Sequence, residues 1–175
     1  TAALHLGLHC AGVRYGDEVI MPSLTFAATA NSAMMTGAVP HFVDSCTNDI
    51  GIECSALRTY LREITVIKGK VCFNRVTDRP IRAIIPVHVF GHIGNIEDLI
   101  DIASEFRLKV IEDAAEALGS TKGGKHAGLF GCCGSLSFNG NKIITTGGGG
   151  AVLTNDDYLA ARISHVSKTA KKLHR

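Results

Sequence analysis

Apolar residues along this chain fall into two rhythms. One is short and continuous: "EVIMP" (18–22), "VPHFVD" (39–44), "RAIIPVH" (82–88), "KVIED" (109–113), "GSLSFN" (134–139) and "AVLTN" (151–155). Runs of that length without alternation predict strands covered on both faces. The other rhythm is helical. "TAALHLGLHCAG" sets Leu4 and Leu8 four apart and stops at Gly12, and "TFAATANSAMMTG" stops at Gly37. "ECSALRTYLREI" puts Leu57 and Leu61 on one face. "NIEDLIDIASEF" opens on Asn95 as an N-cap with acids in its first turn, and "NDDYLAARISHVSK" repeats that opening at Asn155, Asp156 and Asp157. Strand and helix alternate, so the expected class is α/β with a mainly parallel sheet and helices on both faces. The polar stretch "VIKGKVCFNRVTDRP" (66–80) interrupts the rhythm and reads as an inserted loop or hairpin.

Composition narrows the function classes. The chain has 175 residues, 46% hydrophobic and 19% charged, with a net charge of +2. That suits one domain with a real core. No basic patch is interleaved with aromatics, which argues against nucleic acid, and the terminal cluster "SKTAKKLHR" reads as a solvated helix or loop. No apolar run approaches the roughly 20 residues that span a bilayer. The opening "TAALHLGLHC" has no basic leader and is broken by two histidines, unlike a signal peptide. Six cysteines (Cys10, Cys46, Cys54, Cys72, Cys132 and Cys133) form no CxxC pair, and the adjacent Cys132 and Cys133 suit a disulfide poorly. Free thiols in a reducing cytoplasm are the expectation. The chain starts on Thr1 and stops on "KKLHR", so both ends look cut.

Ligands of open α/β sheets sit beyond the carboxyl ends of the strands. Glu112 and Asp113 end one strand. Such a carboxylate either caps a helix, pairs with a nearby lysine, or holds a ligand proton. Ser137 and Asn139 end the next strand, and Lys142 follows within "FNGNK". Lys142 is either an exposed turn lysine or an amine held beside a ligand that the Gly-rich backbone approaches closely. If the two strands are neighbours, all these groups share one crevice. A desolvated lysine there can be neutral and can attack a carbonyl to form a Schiff base. An aldehyde cofactor with a basic ring nitrogen would need the acid to keep that nitrogen protonated, which is the electron-sink chemistry of pyridoxal phosphate. Its phosphate would suit the helix N-terminus at "TAALHL" and the Ser137 hydroxyl. His88 and His92 in "HVFGH" lack the glutamate of a zinc-protease helix, so no metal site is expected; they read as substrate-side polar groups or loop histidines. "GGGG" (147–150) is not a dinucleotide fingerprint, because it runs straight into a strand. It reads as a tight turn beside the lysine.

Taken in order, "LTFAATANS", "VPHFVD", "AIIPVHVFGH", "VIEDAAEALGS" and "GSLSFNGNKIITTGGGG" resemble the DegT-type aminotransferases, pyridoxal-phosphate enzymes that aminate keto sugars. The resemblance covers nearly the whole chain. "FNGNKIITTGGGG" and the insertion before "IRAIIPVHVFGH" place it nearest the branch acting on UDP-linked 4-keto-6-deoxy amino sugars.

The resemblance implies a three-layer α/β/α large domain of a pyridoxal-phosphate-dependent transferase. Residues 1–175 would be that domain, truncated at both ends, with the first strand and a C-terminal small domain absent. Lys142 is similar to the lysine that bonds the cofactor aldehyde and shuttles the proton. Asp113 looks like the partner of the pyridine nitrogen, and Phe26 like the aromatic stacked on the ring. Ser137 looks like a phosphate donor. Thr1 and Ala2 match the end of the family's phosphate turn. Glu116 stands where many members carry Gln near the ring hydroxyl. The implied reaction is ping-pong: glutamate gives its amino group to the cofactor and a nucleotide-linked sugar ketone receives it, in surface-glycan sugar synthesis. A cytoplasmic homodimer is implied, with the cofactor site completed across the interface. Rival readings are a pyridoxal-phosphate sugar dehydratase, which a histidine at position 142 would favour, a non-catalytic relic of the fold, and a nicotinamide dehydrogenase.

Overall fold

A computed structural model describes residues 1–168 and 170; most of the basic cluster at the end of "SKTAKKLHR" lies outside them. In chain order the elements are α1 (Ala2–Ala11), β1 (Glu18–Pro22), α2 (Ala27–Met34), β2 (Val39–Val43), α3 (Cys54–Ile64), β3 (Thr65–Lys68), β4 (Val71–Asn74) and β5 (Pro80–Ile84). There follow α4 (Ile96–Glu105), β6 (Lys109–Asp113), β7 (Thr121–Lys122), β8 (Lys125–His126), β9 (Cys133–Ser137), β10 (Gly150–Leu153) and α5 (Asp157–Ser167).

The main sheet runs β10-β9-β6-β5-β1-β2. Its centre is parallel, as the unbroken apolar runs imply: β2 on β1, β1 on β5, β5 on β6 and β6 on β9. Antiparallel pairs occur at the margins, β10 on β9 and the hairpin β3–β4, whose second strand pairs with the start of β5. Residues 66–80 therefore resolve as a hairpin that extends the sheet.

The period of two splits each central strand between two cores. Val19 and Met21 of β1, Ala83 of β5 and Ile111 of β6 pack with Leu4 and Leu8 of α1, Ala33 of α2, and Leu159 and Ile163 of α5. Their sequence neighbours Ile20, Ile84 and Val110 pack on the other face with Leu57 and Leu61 of α3 and Ile96, Leu99 and Ile102 of α4. The result is three layers, helix on sheet on helix.

Several ends differ from the sequence reading. The strand expected over 82–88 stops as a ladder at Ile84, because Pro86 has no N–H to donate; a single bridge, Val87 to Asp113, continues the pairing. Asn95 occupies the N-cap position of α4 but its amide bonds Asp98 instead of a helix N–H. Asp156, not Asn155, caps α5 through the Leu159 N–H at 2.9 Å. The pair β7–β8 was not expected. Gly123 and Gly124 have φ of 57° and 77°, the positive values of a two-residue hairpin turn.

Candidate active site

The strands β6 and β9 are parallel neighbours, with Asp113 paired to Ser135 in register. Both therefore point their carboxyl ends the same way, and a cavity of ≈ 960 Å³ opens there. Thr1, Ala2, Phe26, Asp113, Glu116, Ser137 and Lys142 all line it. The site residues expected from sequence are thus gathered in one place.

Asp113 and Glu112 show how one strand end serves two faces. Their side chains alternate. Asp113 faces the cavity, where its Oδ2 accepts from the Thr29 hydroxyl at 2.7 Å and its Oδ1 from the Ala115 N–H at 3.2 Å. The Thr25 hydroxyl in turn donates to Thr29 Oγ1 at 2.7 Å. Thr29 is fully buried, and no sequence signal marked it within the Ala-rich helix. Glu112 points the other way and is also fully buried. It accepts from the Gly128 N–H at 2.7 Å, the Gly131 N–H at 2.6 Å, and bonds His88 Nε2 at 2.8 Å. His88 lies in the irregular segment after β5 and borders the cavity, but its side chain is buried. Its side chain is 1% exposed and ties the end of β5 to β6 and to the segment entering β9.

Lys142 is presented by a closed loop. Its N–H donates to Asn139 O at 3.1 Å, while Phe138 and Thr146 bond across the loop base at 3.0 Å. The glycine run closes this loop: Gly149 has φ 153°, and a Cβ there would lie 2.7 Å from Thr146 Oγ1. The Lys142 side chain is 16% exposed, and its Nζ lies 3.1 Å from Glu116 Oε1. The sequence suggested an amine in desolvating surroundings. The structure gives it a carboxylate partner. The other Glu116 oxygen accepts from the Phe90 N–H at 3.1 Å. That backbone bond, and then Lys142, outweigh the opposing effect of burial and hold the Glu116 carboxyl below its ordinary range.

The remaining residues suit an anionic aromatic aldehyde. The first turn of α1 opens onto the cavity, and Thr1 makes no side-chain cap, so its N–H groups are available to a phosphate. The half-buried Ser137 Oγ has only a 3.4 Å bond from the Asn139 N–H. Phe26, just before α2, is 78% exposed and presents a ring face. Arranged this way, a nucleophilic amine, a buried acid, an aromatic wall and a phosphate seat can hold one flat ring by its edges and face.

Known proteins share this arrangement of elements. The model of the DegT/DnrJ/EryC1/StrS aminotransferase family matches residues 1–174. GDP-perosamine synthase of Caulobacter vibrioides is 43% identical over 163 residues, covering 93% of this chain and 40% of that protein. The enzyme of the same name from Escherichia coli O157:H7 is 41% identical over 175 residues, covering 100% of this chain and 44% of its own length. Among solved structures, a DegT DnrJ EryC1 StrS aminotransferase from Brucella abortus superposes with a TM-score of 0.84 at 32% identity, covering 99% of this chain and 44% of that one. DesI, solved in the presence of its TDP-sugar product, gives 0.82 at 31% identity, covering 98% of this chain and 39% of that one. The chain thus spans less than half the length of the curated relatives it matches. By match and by fold, the chain belongs to the DegT/DnrJ/EryC1/StrS aminotransferase family.

Proposed function

We propose that residues 1–175 form most of the cofactor-binding large domain of a sugar aminotransferase. The first strand and the C-terminal small domain would be supplied by sequence beyond this chain. The enzyme would use pyridoxal 5'-phosphate, take its amino group from glutamate, and deliver it to a nucleotide-linked 4-keto-6-deoxy sugar. The supporting observation is the single cavity lined by Lys142, Asp113 and the first turn of α1.

Each side chain then has a task. When bound, the cofactor supplies an electron sink for the substrate carbon. Lys142 would hold the cofactor through its aldehyde, and its amine would act as the general acid and base for the proton at the substrate carbon. Asp113, fixed by Thr29, would hold the proton on the ring nitrogen. Phe26 would face the ring, while the N–H groups at Thr1 and Ala2 and the Ser137 hydroxyl, which line the same cavity, would hold the phosphate. Glu116 sits beside the lysine; it would adjoin the ring hydroxyl and keep the amine within the cavity.

A homodimer is part of this reading. Met34, Met35, Ile143 and Ile144 are all more than half exposed, apolar surface that a second copy would cover. A cytoplasmic location fits the supply of nucleotide sugars and the six free cysteines. The relatives named for GDP-perosamine favour a GDP-linked acceptor over the UDP-linked one that "FNGNKIITTGGGG" suggests.

The test is an amination assay on the protein expressed in full. It is incubated with pyridoxal phosphate, glutamate, and GDP- or UDP-linked 4-keto-6-deoxy sugars. The expected result is stoichiometric 2-oxoglutarate and amino sugar by mass spectrometry, lost in Lys142→Ala. Cofactor binding without transfer to any keto sugar would overturn the substrate assignment.

A further inference from the structure

Phe90 stands out at the cavity. It lines the wall, is 78% exposed, and has φ 52° and ψ 24°. An aromatic residue rarely adopts this left-handed backbone, and such strain persists only where the surroundings fix it. Three anchors do so. His88, two residues earlier, is locked in the core by Glu112 at 2.8 Å. The Phe90 N–H donates to Glu116 Oε2 at 3.1 Å. Gly91 has φ 84° and lies so close to Ser120 that a Cβ would meet its Oγ at 2.8 Å. The turn is over-determined, and what it presents is a bare ring.

The position of the turn relative to the lysine narrows its use. Phe90 N and Lys142 Nζ bond the two oxygens of one carboxylate. The turn that carries Phe90 is therefore tied to the same carboxylate as the amine, at the same part of the cavity wall. Phe26 also lines this cavity. We infer that Phe90 is a specificity-determining platform on which the apolar face of the acceptor's deoxy sugar packs. This rests on the aminotransferase reading above and names the part of the substrate that the strained turn recognises. A 6-deoxy sugar carries a methyl group in place of a hydroxymethyl, and an aromatic face without a polar tip suits that apolar edge.

Phe90→Gly separates ring from backbone, because glycine accepts the left-handed conformation without strain. The full protein, loaded with pyridoxal phosphate, is assayed with a nucleotide-linked 4-keto-6-deoxy sugar. The expected result is a rise of about tenfold in KM for the sugar. The rate of the glutamate half-reaction stays within about twofold of wild type, and the melting temperature is equal or higher. Phe90→Tyr, which keeps a ring, is expected to restore most of the KM. An unchanged sugar KM in Phe90→Gly would overturn the inference while leaving the aminotransferase reading intact. So would loss of the oligomer by light scattering, which would make Phe90 a subunit contact. Failure of the wild-type protein to aminate any keto sugar would overturn both.

Discussion

The two ends of the sheet treat buried carboxylates in opposite ways. At the amino ends of the strands, Glu18 is 2% exposed and closed off. Its oxygens receive His41 at 2.8 Å, Asn74 at 3.0 Å, and the Thr77 hydroxyl. Burial alone would push its pKa up, but the bonds from His41, Thr77 and Asn74 prevail and bring it down to about 2. At the carboxyl ends, Asp113 has one hydroxyl and one backbone N–H and otherwise faces a cavity. Nearby are an exposed Phe26, a strained Phe90 and an ion-paired lysine. One end is satisfied and structural. The other turns the first-turn N–H groups of α1 and the exposed rings of Phe26 and Phe90 toward a cavity, which is how a site for a ligand differs from a core.

This contrast predicts that substitutions at the two ends fail in different measurements. The largest effect belongs to the open end. Lys142→Ala is expected to lower aminotransfer by at least about a thousandfold, and Asp113→Asn by about a hundredfold or more. Both should leave the urea midpoint of unfolding nearly unchanged. Loss of folding in either variant would break the comparison, since the residue would then be structural.

Glu112 sharpens it, because it adjoins Asp113 yet is satisfied like Glu18. Glu112→Gln would set an amide nitrogen against an N–H donor and is expected to cost about 2–3 kcal/mol of stability by denaturant unfolding. Its residual folded fraction should still bind pyridoxal phosphate.

Glu18→Gln is expected to cost about 2 kcal/mol at neutral pH, with kcat retained. The pH dependence has a definite sign. Glu18 has a folded pKa below the ordinary carboxylate value of 4.5, at about 2. Its stabilisation is therefore fully present above pH 4.5 and lost as pH falls through about 2. The variant should lack that acid-side loss in unfolding measured across this window.

The smallest effect is a gain. Phe90→Gly is expected to stabilise the fold by about 1 kcal/mol by relieving its left-handed backbone, even as it weakens sugar binding. Destabilisation would mean that the ring packs structurally.

Much of the frame was legible because burial on both faces leaves a plain mark. "EVIMP" and "KVIED" are strands at the bounds their apolar runs gave, and "ECSALRTYLREI" needed only its first residue reassigned as a cap. The gathering of Asp113, Ser137 and Lys142 was legible on one condition, that their strands be neighbours, which the β6–β9 pairing meets. What escaped depends on partners distant in sequence. Thr29 reaches Asp113 across 84 positions, and Glu112 reaches His88 across 24. No spacing rule links such pairs. Phe90's left-handed backbone was hidden for a related reason: its anchors are Glu116, Ser120 and the core beneath His88, none of which a local pattern contains. Pro86 was readable and should have shortened the strand that was expected to reach His88.

The central claim is that Lys142 is the amine that bonds the cofactor. It is tested by incubating the full protein with pyridoxal phosphate, reducing with borohydride, and mapping the adduct by peptide mass spectrometry. The account predicts one cofactor per chain, on the peptide containing Lys142, with the yellow absorbance lost in Lys142→Ala. Label spread over surface lysines such as Lys70 and Lys125, undiminished in that variant, would contradict it.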